Sequence, residues 1–376
     1  MVRRPGALMT ADLDADVAII GAGPAGSACA ISLRTRMPSL SVALIEASAF
    51  DVPRAGETLS PAARPLLEHL GVFDTFRSSG HAEVHGTTAS WGDPSPHDND
   101  FLFHARGPGW HLDRTRFDAM LAENAASRGA TLLTGAAVTS TRRVDDRWHL
   151  DLAGGRTIAA RFLVDTTGSA AIARRFCGAR IVAFDHLVSF GRFFHDDTNA
   201  DPRTIVEAFA DGWWYTAALP GKRRFVACMT DSGVARRLHL HDAAAWTRLL
   251  EAMPLAGRIA GRADGPIVAR ACGSQRLEPA AGSGWIAAGD AASRFDPLSS
   301  QGITKALRSG VFASYAIGDL LTNGDTRGMR RYEHFIRAEF DAYLRTRNAI
   351  YADEQRWPDS NFWSARSSHH EVPTDI

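Results

Sequence analysis

Two hydropathy patterns divide the chain. Short, unbroken apolar runs next to glycine occur near its beginning and end, and alternating apolar and polar positions fill much of the middle. Unbroken runs read as strands buried on both faces, whereas alternation reads as strands with one buried face. Asp16–Ile20 is a run of the first kind, followed by Gly21-Ala-Gly-Pro-Ala-Gly26 and a small-residue helical segment reaching about Arg36. Val42–Ile45 is a second run, closed by Glu46. Together they predict a β-α-β unit of about 30 residues. Ser60 reads as an N-cap with Pro61 in the first helical position, and Gly71 closes that helix. Thr115 to Arg128 predicts an amphipathic helix ending at Gly129, and Thr131 to Val164 predicts strands around a Gly154-Gly155 turn. From about 180 to 275 aromatic and β-branched residues are enriched, with Trp213-Trp214-Tyr215 among them. Gly284 to Ala288 restores the first pattern, Gly289-Asp290 ends it, and a long helix begins near Gln301. The fold class is therefore α/β: a Rossmann-type nucleotide-binding domain, interrupted by a mixed or antiparallel β-sheet and completed towards C-terminal helices.

Composition adds exclusions. The 376 residues carry 42 basic and 42 acidic side chains, which gives no basic footprint for nucleic acid. Cys29, Cys177, Cys228 and Cys272 are scattered without a C-x-x-C pair, against a disulfide framework or zinc site and in favour of a reducing, cytoplasmic setting. Arg3-Arg4 lacks the apolar stretch of an export signal, and no run approaches the roughly 18 apolar residues of a membrane span. Only two of the basic residues are lysines, Lys222 and Lys305. The arginine bias reads simply as codon usage.

Gly21-x-Gly23-x-x-Gly26 has a strand before it, a helix after it and an acid closing the next strand. The first glycine permits a tight turn, the second admits a pyrophosphate, and the third lets helix and strand pack closely. Pro24 and Ala25 complete that turn, and Glu46, 20 residues beyond Gly26, can accept both hydroxyls of an adenosine ribose. A second constellation, Gly289-Asp290-Ala-Ala292 and Asp296-Pro297-Leu-Ser-Ser300-Gln301-Gly302-Ile303, couples a strand end to a helix N-terminus. There an aspartate can hold a ribityl hydroxyl, and helix N–H groups can face the negative edge of a reduced flavin. The two together indicate FAD.

These motifs resemble the glutathione-reductase-type flavoproteins, in the group of aromatic hydroxylases and flavin-dependent tryptophan halogenases. Gly56-Glu57-Thr58-Leu-Ser-Pro61, Asp113-Arg114-x-x-Phe117-Asp118 and Phe162-Leu-Val-Asp165-x-x-Gly168 extend the resemblance along nearly the whole chain. It implies that Glu57 and Thr58 lie beside the isoalloxazine, that Arg114 reaches the cofactor, and that Asp165 to Gly168 pack near the adenosine. Asp290 then binds the ribityl chain, and Pro297 to Gly302 line the flavin's active face. With the Trp-His-Leu-Asp-Arg114 segment and the tail Glu354-x-Arg356-Trp357-Pro-x-Ser-x-Phe362-Trp363, the chain looks most like flavoproteins that mature cysteine tryptophylquinone enzymes. Such flavoproteins serve quinohemoprotein amine dehydrogenase and the lysine ε-oxidase and glycine oxidase group by hydroxylating a tryptophan of a partner protein. The expected layout is a glutathione-reductase-type FAD-binding domain in three parts (16–80, 113–178, 276–322) and a substrate sheet (81–112, 179–275). A loose N-terminal arm (1–15) and a C-terminal helix and tail (323–376), loose over the last 15 residues or so, flank these.

Halogenases of this group need a lysine in the strand following the helix after the Gly-Glu motif. The corresponding stretch, Phe76 to Gly92, has none. Lys222 reads as solvated surface; Lys305 reads as a helix-surface salt bridge, with approach to the flavin as its catalytic alternative. Gly212-Trp213-Trp214-Tyr-Thr-Ala-Ala-Leu-Pro220 also departs from the halogenases' W-x-W-x-I-P spacing. The expected activity is monooxygenation: a flavin C4a-hydroperoxide attacked by an electron-rich arene, the tryptophan of a quinoprotein precursor polypeptide. Trp213, Trp214 and Tyr215 are candidates for an aromatic wall, and His111 or His85 for a base; the plainer readings are core strand positions and ordinary hydrogen-bonded histidines. His239-x-His241 reads as the approach to an N-cap at Asp242 rather than as metal ligands. No second glycine fingerprint marks a nicotinamide site, although NAD(P)H is the expected reductant. The alternatives are a small-molecule hydroxylase or reductase of natural-product metabolism and, outside enzymes, a flavin-bearing assembly factor.

Overall fold

The computed structural model describes residues 12–54, 56–101, 105–196, 202–258 and 261–367. Arg3-Arg4 and the final nine residues lie outside them. The first strand, β1 (Leu13–Ile20), starts within the stretch expected as a loose arm, because Leu13 to Ala15 pair in parallel with Ile158 to Ala160. Helix α1 (Pro24–Arg36) and β2 (Val42–Ile45) complete the predicted β-α-β unit. Every residue from Val17 to Ile20 and from Val42 to Ile45 is buried, as an unbroken apolar run requires. The main sheet runs Ala281–Gly282, Trp285–Ala287, Thr157–Asp165, β1, β2, Thr131–Leu133, and an antiparallel hairpin turning at Gly154-Gly155 joins its Thr157–Asp165 strand. Along this path every pairing from Trp285–Ala287 to Thr131–Leu133 is parallel. Helix α2 (Arg114–Ser127) packs on α1; its N-cap, Asp113, accepts from the Arg116 N–H at 3.1 Å.

Among the described residues the inserted sheet has seven strands. β3 (Gly86–Ser90) lies beside β5, while β4 (Leu187–His195), β5 (Thr204–Phe209), β6 (Gly212–Leu219), β7 (Arg223–Asp231) and β8 (Arg262–Ala271) give the order β8-β4-β7-β6-β5-β3, with His97–Asp100 at the far edge. Only β5–β3 is parallel. Side chains alternate across a strand, and this sheet consequently has two apolar faces. Trp213, Tyr215 and Ala217 share one face with Phe225, Ala227 and Met229. Trp214 lies on the other, with Val226, Cys228 and Phe190, under Trp246 of α3 (Ala243–Glu251). Asp242 caps that helix through the Ala245 N–H at 2.7 Å, as expected from the sequence.

Helix α4 (Gly302–Asn323) crosses α1 so closely that a Cβ on Gly310 would lie 2.2 Å from the Ala25 carbonyl oxygen. Helix α5 (Arg327–Ala352) follows, and the chain then doubles back. The expectation of a loose tail over the last 15 residues or so is corrected at its start: α6 (Asn361–Ser367) buries Phe362 and Trp363 against Trp213, Tyr351 and Trp91. Burial of these two aromatic side chains, at about 1.5–3 kcal/mol each, offsets part of the cost of ordering the segment. No helix among the described residues is long and apolar enough to cross a membrane.

Candidate functional site

The glycine turn forms because the chain must leave β1 and enter α1 against a neighbouring strand. Gly21 has φ +102°, and a Cβ there would sit 2.5 Å from the Thr166 carbonyl oxygen; one on Gly26 would sit 1.9 Å from that of Gly21. Gly23, by contrast, faces space with nothing within 4 Å of such a Cβ. Pro24 opens α1, and no side chain caps its N-terminus, which leaves first-turn N–H groups for an anion. Asp165 is spent locally: its oxygens accept from the Thr167 N–H (3.0 Å), the Thr167 hydroxyl (2.7 Å) and the Ala173 N–H (2.6 Å). It braces the Thr166 to Gly168 turn, whose Thr166 hydroxyl donates to the Ile20 and Gly21 carbonyls.

Glu46 closes β2 and is buried. Its Oε2 accepts from the Ala22 N–H at 3.0 Å; Oε1 accepts from Ser48 and, at 2.6 Å, from Arg54. Burial raises its pKa, but Ser48, Arg54 and the Ala22 amide outweigh burial and hold it below the usual carboxylate range. The sequence offered no signal for Arg54. That guanidinium also pairs with Asp118 at 3.0 Å, which in turn binds Arg114 through both oxygens, at 3.1 and 3.0 Å. Arg114 donates to the Gly56 carbonyl at 3.2 Å. A charged chain thus links Glu46 to the Gly-Glu motif.

Glu57 is 2% exposed, and its Oε1 has no hydrogen-bond partner among the described residues. Burial, partly offset by Arg114, pushes its pKa up to about 7. The neighbouring Thr58 hydroxyl shares a 2.6 Å hydrogen bond with Tyr215 Oη, which joins this motif to the inserted sheet. Tyr215 is therefore the member of the aromatic run that reaches the motif. Trp213 is fully buried beneath the C-terminal segment, and Trp214 is fully buried on the opposite face, so neither forms the expected wall. The sequence run could not reveal this, because the phase of the strand decides which residue faces which side.

Gly289 has φ +66° and brings its turn against α1, where a Cβ on it would lie 2.8 Å from that of Ala25, while its N–H donates to Ser309. Asp290 keeps a 41% exposed side chain but accepts from Lys305 Nζ at 2.7 Å. The expectation of a helix-surface pair for Lys305 is corrected: its side chain is fully buried, also donating to the Ser293 carbonyl and lying over the Phe295 ring. Burial of a lone ammonium is costly, and Asp290 offsets that cost. Pro297–Ser299 forms a single 3-10 turn, Ser300 is left-handed (φ +50°), and Gln301 precedes α4, whose N-terminus no side chain caps. Gly302 faces open space and Ile303 is buried.

His111 is buried; Nε2 shares a hydrogen bond with Thr204 Oγ1 at 2.8 Å and the ring also bonds to the Ala218 backbone. Burial lowers its pKa to about 4, which makes it a weak base and matches the plainer reading of a neutral, hydrogen-bonded histidine. His85 is exposed. Among the described residues no three His, Cys, Asp or Glu side chains converge as metal ligands.

The groups present fit an FAD molecule: a glycine cradle that a Cβ would fill, uncapped N-termini on α1 and α4 that offer N–H donors, and the orphaned, buried oxygen of Glu57. Comparison with known proteins agrees. The family model described as "Tryptophan halogenase" matches residues 16–104 and 82–376. A Marinomonas mediterranea protein named "Putative FAD-dependent oxidoreductase LodB" is 29% identical over 360 residues, covering 93% of this chain and 96% of its own. The myxobacterial chondrochloren halogenase CndH superposes with a TM-score of 0.86 at 25% identity, covering 96% and 87% of the two chains. The peptidyl tryptophan dihydroxylase QhpG, essential for tryptophylquinone cofactor biogenesis, superposes at 0.74 with 25% identity, covering 96% and 80%.

Proposed function

The chain belongs to the tryptophan halogenase family of FAD-dependent enzymes, and from that premise we propose that it hydroxylates a tryptophan of a partner polypeptide during tryptophylquinone maturation. One observation carries this choice over halogenation. The chain has two lysines; Lys305 is sealed onto Asp290, and Lys222 is exposed in the turn between β6 and β7, so neither stands where a halogenase lysine is required. The near-full-length similarity to LodB and the structural likeness to QhpG, a peptidyl tryptophan dihydroxylase, support the same reading.

Gly21, Gly23, Pro24, Ala25 and Gly26 would hold the pyrophosphate, Glu46 the adenosine ribose, and Asp165 and Gly168 the turn behind it. Asp290 would hold the ribityl chain, oriented by Lys305. Glu57, Thr58, Arg114 and the segment Pro297, Ser300, Gln301, Gly302 and Ile303 would surround the ring system. FAD, when bound, supplies the two-electron activation of dioxygen. In the net reaction one oxygen atom replaces the ring hydrogen as a hydroxyl, the other leaves as water, and NAD(P)H provides the electron pair. Glu57 accepts the displaced ring proton: a carboxyl with a pKa near 7 is matched to that task at neutral pH. Tyr215, Phe225 and Phe193 on the facing sheet position the indole and exclude water. Co-expression with a tryptophylquinone-subunit precursor, followed by intact and peptide mass spectrometry, tests the reading. Gain of one or two oxygens on a single tryptophan is expected; an unmodified precursor, or halide-dependent incorporation of chlorine or bromine, overturns it.

A further inference from the structure

Asp296, which opens the segment before α4, is fully buried, and everything that holds it comes from outside the nucleotide-binding sheet. Oδ1 accepts from the Leu298 N–H at 2.9 Å, which closes the turn. Oδ2 accepts from Tyr351 Oη at 2.8 Å and lies 3.5 Å from Arg347 Nε. The Asp296 N–H donates to Tyr343 Oη at 2.6 Å, and that hydroxyl meets Ser274 Oγ at 2.6 Å. Tyr343, Arg347 and Tyr351 all lie on α5. Arg347 extends to Asp185 at 3.0 Å, and Asp185 accepts from the Leu187 and Ser274 amides.

Trp213 completes the arrangement. Its indole N–H donates to Tyr351 Oη at 3.0 Å. An indole nitrogen can only donate, so it fixes the Tyr351 hydroxyl as acceptor on that side and leaves its single proton for Asp296. Both side chains are fully buried, so water does not replace either bond.

We propose that Tyr351 and Arg347 are positioning residues for the flavin: by holding Asp296 they set the 296–301 segment and the N-terminus of α4 against the cofactor, and Trp213 acts only through Tyr351. The proposal rests on the assignment of FAD to this site, not on the hydroxylation reading. A buried acceptor that loses its donor costs more than the net worth of the bond, and the penalty falls on the segment that must present N–H groups to the cofactor's negative edge.

Tyr351→Phe keeps the ring and removes the hydroxyl. Its FAD dissociation constant, from quenching of flavin fluorescence, is expected to rise about tenfold, equivalent to about 1.4 kcal/mol. The flavin's midpoint potential falls, because the N–H groups at the start of α4 are held less firmly against the negative charge of the reduced cofactor. The double variant Tyr351→Phe/Trp213→Phe binds FAD no more weakly than Tyr351→Phe alone. A purely structural role would lower the melting temperature while dissociation constant and potential stayed at the wild-type values, and that result overturns the proposal. So does a double variant that is several-fold worse than the single one. If Tyr351→Phe yields no folded protein, Arg347→Lys probes the same carboxylate from its other side, and an unchanged dissociation constant and potential there overturn the proposal equally. Wild-type protein that binds no FAD would instead sink the cofactor assignment.

Discussion

Glu57 has the most consequential environment of any single residue here. Its pKa is raised from 4.5 to about 7 by burial, so between those values the folded chain holds a proton that the unfolded chain has released. Stability therefore falls as pH rises from about 4.5 to 7 and levels off above. At 1.36 kcal/mol per unit the loss is at most about 3 kcal/mol. Glu57→Gln cannot ionise and escapes it. Scanning calorimetry of the FAD-free proteins is expected to show the variant gaining on wild type between pH 5 and pH 8; a constant difference would refute the assignment of a buried acid. Under turnover, the wild-type rate should rise with pH around 7, and the variant should be slower by about 10²–10⁴-fold with no such rise. At this scale the sequence was readable where chemistry is local. Gly21, Gly26 and Glu46 announce themselves because the turn and the strand end lie within one β-α-β unit. Arg54 and the burial of Lys305 were not, because Arg54 bridges Glu46 to Asp118 of α2 and Lys305 meets the Gly289-Asp290 turn, and burial is decided by what packs on top.

At the scale of elements, the inserted sheet shows how strand phase separates function from packing. Gly191 on β4 is the position where the two meet. A Cβ there would lie 2.3 Å from the Phe225 ring, so Gly191→Ala must push that ring across the face shared with Tyr215 and Phe193. Overpacking of this kind costs about 1–3 kcal/mol. If this face receives the aromatic substrate, KM should rise about tenfold, the equivalent of about 1.4 kcal/mol, while the FAD dissociation constant stays within about twofold. Trp214→Phe, on the face covered by α3, should lower the melting temperature and leave KM alone. Steady-state kinetics with flavin titration checks both; equal KM shifts in the two variants would show that the faces are misassigned. The alternation that predicts strands in this region is plain in the sequence, and so are the helices at Thr115 and Gln301. Which strand lies beside which is not, since β3 joins β5 across more than a hundred residues and no local signal encodes that pairing.

The whole molecule depends on a return of the chain that sequence alone could only mark by resemblance. Glu354 accepts from the Gly92 N–H at 2.8 Å, Arg356 reaches the Ser90 carbonyl at 3.2 Å, and Trp363 donates to the Phe209 carbonyl at 2.9 Å. These contacts span 262, 266 and 154 residues. Closing such loops is entropically costly, and the cluster of Trp91, Trp213, Tyr351, Trp357, Phe362 and Trp363 offsets the cost. Trp363 is 1% exposed and packs edge-on to Trp91 at 5.1 Å between ring centres. Trp363→Ala should therefore cost about 3–5 kcal/mol, with a red shift of intrinsic fluorescence as Trp91 and Trp213 meet water. Because Tyr351 lies in the same cluster and holds Asp296, the loss should extend beyond the sheet: FAD affinity falls together with stability. In Tyr351→Phe the emission stays blue while FAD affinity falls. A Trp363→Ala protein that unfolds earlier yet binds FAD as wild type does would show that the C-terminal return clamps the substrate sheet alone and leaves the flavin segment to hold itself.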